Sequence, residues 1–232
     1  MIDYERVFNP YTLNIFTDAS MNNVNGETIG VPGFVAVNSN DNIPYNVKSS
    51  SQVLRQTTNN ECELYAIHLA VIEAIYNMDN YRVINIFSDS QFSVFGLREW
   101  IFDWKKNIRD GIMYNSSNKP VANQSLFMSI IYNILAYDLH INIYHTRGHF
   151  NDNKVDEFIE SFTKHNFLND FIDERLAKEI IKYNNEADHF TRDRVKLLKQ
   201  KILDTMYPPL LIPQYDADSN INLNRYKKLL NI

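Results

Sequence analysis

Two rhythms of apolar and polar positions divide this chain. A short apolar run, Leu13, Ile15 and Phe16, breaks into Asp18-Ala19-Ser20, which predicts a buried strand over residues 12–17 that stops at an acid. A polar loop over residues 21–27 leads to a second strand near residues 29–37, where Gly30 and Gly33 suit a close approach of backbone. Turn residues at 38–42 predict a hairpin into a third strand near residues 43–49. The rhythm then lengthens. Leu64, Ile67, Val71, Ile75 and Met78 recur at helical spacing behind Asn59-Asn60, which read as helix caps. Residues 81–87 predict a fourth strand, again ending at an acid, and residues 90–95 and 98–106 two short helices. Beyond a polar stretch at 107–119, Leu126, Ile130, Ile134 and Leu135 mark another helix, and residues 139–145 a fifth strand.

A strand meander feeding strand–helix alternation predicts an α/β protein with a mixed sheet and helices on its faces. In such sheets functional groups gather beyond strand ends, near a switch in strand order. Asp18 and Asp89 fall at such ends. From residue 205 onward Pro208-Pro209, Pro213 and a polar run read as a linker, closed by an amphipathic segment at 223–232.

Composition changes this picture little. With 232 residues, 44% hydrophobic and 22% charged, the chain suits one large globular domain. The absence of a long apolar run and the polar, acidic residues 1–10 lead to the expectation of a cytoplasmic protein. One cysteine, Cys62, excludes an internal disulfide and a cysteine-based zinc site; it reads as a small buried helix residue. A net charge of −5 argues against nucleic-acid binding by the whole surface, yet leaves room for a local basic strip.

The acids carry the chemistry. Asp18, Glu63 and Asp89 arrive on different elements, and a fourth acid stands in Asn184-Asn185-Glu186-Ala187-Asp188. Carboxylates brought together out of water repel one another unless a cation meets them. An all-oxygen set suits Mg²⁺ or Mn²⁺, and two such ions about 4 Å apart serve in-line displacement at a phosphodiester.

The ordered motifs Thr17-Asp18-Ala19-Ser20, Thr58-Asn59-Asn60-Glu61-Cys62-Glu63-Leu64 and Ser88-Asp89-Ser90-Gln91 resemble those of type 1 ribonuclease H. The likeness continues through Trp100-Ile101-Phe102-Asp103-Trp104-Lys105-Lys106, Asn118-Lys119-Pro120-Val121-Ala122-Asn123 and His145-Thr146-Arg147-Gly148-His149, covering about residues 12–200. Ala19 stands where the family commonly has glycine, Glu61 where a basic or neutral residue is usual, and the loop after Asp18 is longer.

The resemblance implies a ribonuclease H-like fold, with a five-stranded mixed sheet of antiparallel meander and parallel strands flanked by helices. It implies an endonuclease that cuts the RNA strand of RNA–DNA hybrids with two Mg²⁺ or Mn²⁺ ions, leaving 5′-phosphate and 3′-hydroxyl ends. Asp18, Glu63 and Asp89 would hold metal, and His149 would assist proton transfer or product release. For the fourth ligand, Asp156 follows His149 closely, whereas Asp188 keeps the family's Asn-to-Asp spacing better and would open a helix. Asp188 is favoured, which makes residues 153–183 a helical insertion with Phe158, Ile159, Phe162 and Phe167 as its own apolar contacts. The expected organisation is a catalytic domain over residues 1–204 and a tail over 205–232, in a monomer whose insertion or tail docks a protein partner.

Substrate contacts follow the same resemblance. Thr58 and Asn59 match contacts to DNA-strand phosphate, and Asn60 and Gln91 match positions facing the minor groove and 2′-hydroxyls. Trp100, Trp104, Lys105, Lys106 and Lys119 resemble the substrate-binding handle of bacterial enzymes, with Asn123 close by in the motif that follows. Two other readings stand beside this one: an integrase- or resolvase-like DNA nuclease of the same fold, and a non-catalytic nucleic-acid or protein-binding module.

Overall fold

A computed structural model describes residues 1–24, 26–38, 45–50, 53–148, 150, 154–201 and 221–230. Strands β1 (Thr12–Val24), β2 (Glu27–Asn38) and β3 (Tyr45–Ser49) form the meander, with a two-residue β4 (Leu54–Arg55). β5 (Val83–Ser88) and β8 (Ile141–His145) complete a sheet of order β3-β2-β1-β5-β8, and β4 pairs with β2. β1 and β2 are antiparallel, while β1–β5 and β5–β8 are parallel, as expected of a mixed sheet. The five anticipated strands are present; β4 is an addition. The polar stretch at 107–119 contains a further small hairpin, β6 (Ile108–Arg109) with β7 (Ile112–Met113).

Side-chain parity sorts the core into two layers, because successive residues of a strand face opposite sides. Leu13, Ile15, Ile84, Ile86, Ile141 and Ile143 pack beneath α2 (Asn59–Asn77) and α5 (Gln124–Ala136). Phe16, Val35, Val37 and Phe87 face the other way, into a layer closed by α1 (Tyr4–Val7), α6 (Val155–His165) and α7 (Glu174–Lys201). Phe158 and Phe162 therefore join the core of the sheet rather than a cluster of their own, and Phe167 is 67% exposed beside Arg98.

Two expectations about strand and helix ends are corrected. β1 does not stop at Asp18 but runs on through the polar residues to Val24, paired throughout with β2. Backbone hydrogen bonds hold this hairpin arm, so polar side chains do not end it. Nor does Asp188 open a helix: it lies inside the 28-residue α7. Thr58, rather than Asn59 or Asn60, caps α2, its hydroxyl accepting from the Glu61 N–H at 3.2 Å.

After β5, α3 (Gln91–Phe95) passes through one π-helical turn, Gly96–Trp100, into α4 (Ile101–Trp104). The tail's α8 (Leu223–Leu229) returns to this segment: Tyr226 is buried and donates its hydroxyl to the Leu97 carbonyl at 3.1 Å. The apolar side chains of that helix thus pack within the chain's own core. Among the described residues no helix is long and apolar enough to cross a membrane.

Candidate active site

The parallel ladder between β1 and β5 ends at the pair Thr17–Ser88, while β1 continues alongside β2. Asp18 is the first residue of β1 beyond its parallel neighbour, and Asp89 the first residue after β5. Parity points Asp18 toward the α7 face, with Phe16, whereas Glu63 comes from α2 on the opposite face. The two meet at the edge of β1 that β5 leaves uncovered beyond Ser88. One carboxylate oxygen from each of Asp18, Glu63 and Asp89 lies within 4.8 Å of those of the other two.

Such a cluster is electrostatically unfavourable by itself. Asp18 is 7% exposed, and burial pushes its carboxyl up to about 7, against a hydrogen bond from Thr191 that favours the charged form. The negative charge of Asp89 adds to the upward shift, and Arg192 opposes it. Glu63, also 7% exposed, is raised well above the usual carboxylate range by burial and by its two acidic neighbours. Its Oε2 is buried with no hydrogen-bond partner. A buried oxygen left unmatched beside two other carboxylates is a donor set that fits a hard divalent cation.

The surroundings hold these acids from several sides. The Thr57 hydroxyl donates to Glu61 Oε2 at 3.0 Å, so the extra acid of this motif has its own partner. His145 Nε2 lies 3.2 Å from the Asp89 carbonyl, and burial pushes the imidazole down to about 4, which keeps it neutral. Thr146 donates its N–H to the Ser88 carbonyl at 2.8 Å and its hydroxyl to Asn184 Oδ1 of α7 at 2.9 Å. The loop then passes so close to Asp89 that a Cβ on Gly148 would sit 2.6 Å from Oδ2, so a larger residue there would displace the carboxylate. His149 lies outside the described residues.

α7 approaches from the other face. Asp188 is not within the three-acid group: its carboxylate is paired with Arg192 one turn on, and its carbonyl accepts from Thr191 at 3.1 Å. Thr191 donates its hydroxyl to Asp18 Oδ2. Asp156 sits exposed on the first turn of α6. Sequence reading missed Thr191 and Arg192, and took Asn184 only as the first residue of the Asp188 motif. The available signal was helical spacing, since Thr191 and Arg192 follow Asp188 by three and four residues and Asn184 precedes it by four.

The remaining residues divide by exposure. Thr58, Asn59 and Asn60 are exposed at the N-terminus of the helix that carries Glu63, and Gln91 is exposed at the start of α3. Trp100 is 38% exposed, with its ring centroid 5.9 Å from that of Trp104. Trp104 is a correction: at 6% exposure it packs edge-on against Phe127, 5.2 Å between centroids, and is a core residue rather than an open platform. Lys106 is exposed and pairs with Asp103 at 2.8 Å, Lys105 is half-buried, and Lys119 is exposed in a tight turn. Asn123 precedes α5 in a left-handed conformation, φ 58°, and its side chain does not cap the helix.

The chain is 35% identical over 140 residues to the protein named Ribonuclease HI of Haemophilus influenzae, covering 60% of this chain and 80% of that one. It is 34% identical over 137 residues to the Ribonuclease HI of Pasteurella multocida, covering 59% and 78%. A crystal structure titled as a type 1 RNase H with the type 2 active-site motif shares 18% identity at a TM-score of 0.43, covering 71% of this chain and 76% of that one; a likeness at that level adds no argument. The model of the family described as RNase H matches residues 10–168. A match across more than half of the chain, running from the start of β1 past the loop beside Asp89, shows that this protein belongs to the RNase H family: it is a ribonuclease H.

Proposed function

We propose that this enzyme hydrolyses the RNA strand of RNA–DNA hybrids at the Asp18–Glu63–Asp89 cluster, using two Mg²⁺ ions, with Mn²⁺ as the alternative. The observation that carries the reading is the buried, unpartnered Oε2 of Glu63 within a group of three acids whose oxygens lie within 4.8 Å. When bound, the divalent ions lower the pKa of the attacking water and stabilise the leaving 3′-oxygen, which leaves 5′-phosphate and 3′-hydroxyl ends.

The chain's own residues hold and orient. Asp18, Glu63 and Asp89 would hold the metal, whose positive charge would offset the mutual repulsion of the three carboxylates. Asp188, paired with Arg192 in this structure, would serve as the fourth carboxylate. His149, by the family resemblance, moves a proton or assists product release. Thr58 and Asn59 take a DNA-strand phosphate at a helix N-terminus, where N–H groups and the dipole favour an anion. Asn60 and Gln91 read 2′-hydroxyls, the feature that distinguishes RNA from DNA. Trp100, Lys105, Lys106, Lys119 and Asn123 grip the duplex farther from the cut. The catalytic unit covers residues 1–204; the segment expected as an insertion takes in α6 and the first part of α7, and its Phe158 and Phe162 are built into the core of that unit.

The direct test offers the purified protein a labelled RNA–DNA hybrid, matched duplex DNA and duplex RNA with Mg²⁺ or Mn²⁺. Cleavage of the hybrid's RNA strand alone, with 5′-phosphate ends, is expected; cutting duplex DNA in preference would replace this reading with that of a DNA nuclease. The fourth ligand has its own comparison. Asp188→Asn is expected to lower kcat by about 10- to 100-fold, and Asp156→Asn to leave it near wild type. Full activity in both variants would remove Asp188 from the site.

A further inference from the structure

Thr191 is fully buried, yet its polar atom is directed at an acid of the active site rather than at its own helix alone. A threonine hydroxyl has one proton to give. Two acceptors compete for it, the Asp188 carbonyl at 3.1 Å and Asp18 Oδ2. A carboxylate is the stronger acceptor, while back-bonding to a helix carbonyl is weak. Ser20, on the same strand as Asp18, brings its hydroxyl to 3.1 Å from that of Thr191. Room for this contact is made on β2. Gly33 is the register partner of Asp18, and a Cβ there would lie 2.9 Å from Thr191 Cγ2.

We infer that Thr191 is a positioning residue for Asp18, so that α7, which lies beyond the family-matched segment, is part of the catalytic unit. Its hydroxyl fixes the orientation of the Asp18 carboxylate in the direction from which the cluster binds a divalent cation. The inference rests on the reading of Asp18 as a metal ligand.

The test compares wild type with Thr191→Val, which keeps the shape and removes the donor, and with Thr191→Ser, which restores it. Mn²⁺ binding without nucleic acid is measured by electron paramagnetic resonance, together with kcat and KM for a hybrid across a Mg²⁺ series. The valine variant is expected to bind Mn²⁺ about 10-fold more weakly and to need correspondingly more Mg²⁺ for half-maximal kcat, with KM for the hybrid unchanged. Serine should recover both to within about twofold of wild type. If the valine variant fails to fold, Thr191→Cys takes its place, with a similar volume and only a weak donor, and the same loss is expected. Mn²⁺ affinity and Mg²⁺ dependence that stay unchanged or tighten without the hydroxyl would overturn the role of Thr191. A wild-type protein that binds no Mn²⁺ would instead overturn the metal-ligand reading itself.

Discussion

Asp89→Asn is expected to abolish hybrid cleavage, by about 10³-fold or more, while hybrid binding persists. A neutral amide is a far poorer ligand for a hard divalent cation than a carboxylate, and the several kcal/mol of transition-state stabilisation that the metal supplies convert to a loss of that size. The fold has little reason to suffer. Asp89 follows the end of β5, and its backbone carbonyl, which lies 3.2 Å from His145 Nε2, is untouched by the substitution. Single-turnover cleavage and a hybrid-binding titration in Ca²⁺ or chelator separate the two effects. Cleavage within about tenfold of wild type would show that Asp89 does not hold the catalytic metal.

The second large effect is on stability, and its sign is unusual for an active-site substitution. Asp18→Asn is expected to stabilise the metal-free protein above pH 7. The folded-state carboxyl sits at about 7, against 3.8 as its ordinary value, chiefly because it is buried. Between those values the folded protein keeps a proton that the unfolded chain has lost, so stability is full below about pH 4 and falls as pH rises toward 7. At 1.36 kcal/mol per unit, a shift of roughly three units gives a loss on the order of 2–4 kcal/mol. Glu63 acts in the same direction. In chelator at pH 8, thermal unfolding should therefore show the asparagine variant about 5–10 °C above wild type, with the difference vanishing near pH 4. Mg²⁺ should raise the midpoint of the wild type at pH 8 and have little effect on the variant. Superimposable pH profiles for the two proteins without metal would contradict the electrostatic account of the site.

Both predictions concern a fold that elsewhere follows ordinary rules of packing. Leu13 and Ile15 against Phe16, and Ile84 and Ile86 against Phe87, divide between two layers by strand parity alone. The helix over Asn59–Asn77 is legible from its apolar spacing, and the Asp18, Glu63 and Asp89 motifs from their residues and order. Where sequence reading failed, a local signal lost to a distant partner. The polar run after Asp18 reads as loop, yet β2 supplies a strand partner for every residue to Val24. Trp104 reads as part of an exposed basic stretch, yet Phe127 of α5 covers it. The segment at 223–232 reads only as amphipathic, and it is the distant Leu97 carbonyl that takes the Tyr226 hydroxyl.

By itself, then, the sequence determined the mixed α/β architecture, the three acids at the mouth of the sheet and the all-oxygen character of the site. Each of these is written in residue type and short-range spacing. Tertiary structure alone decided how close the three acids come, one oxygen of each within 4.8 Å of those of the others, and that Asp188 stands outside that group. It alone decided that Thr191 reaches Asp18 across 173 positions of chain. Periodicity and capping act between near neighbours, whereas the approach of two such distant side chains is set by how whole elements pack and leaves no local pattern to read.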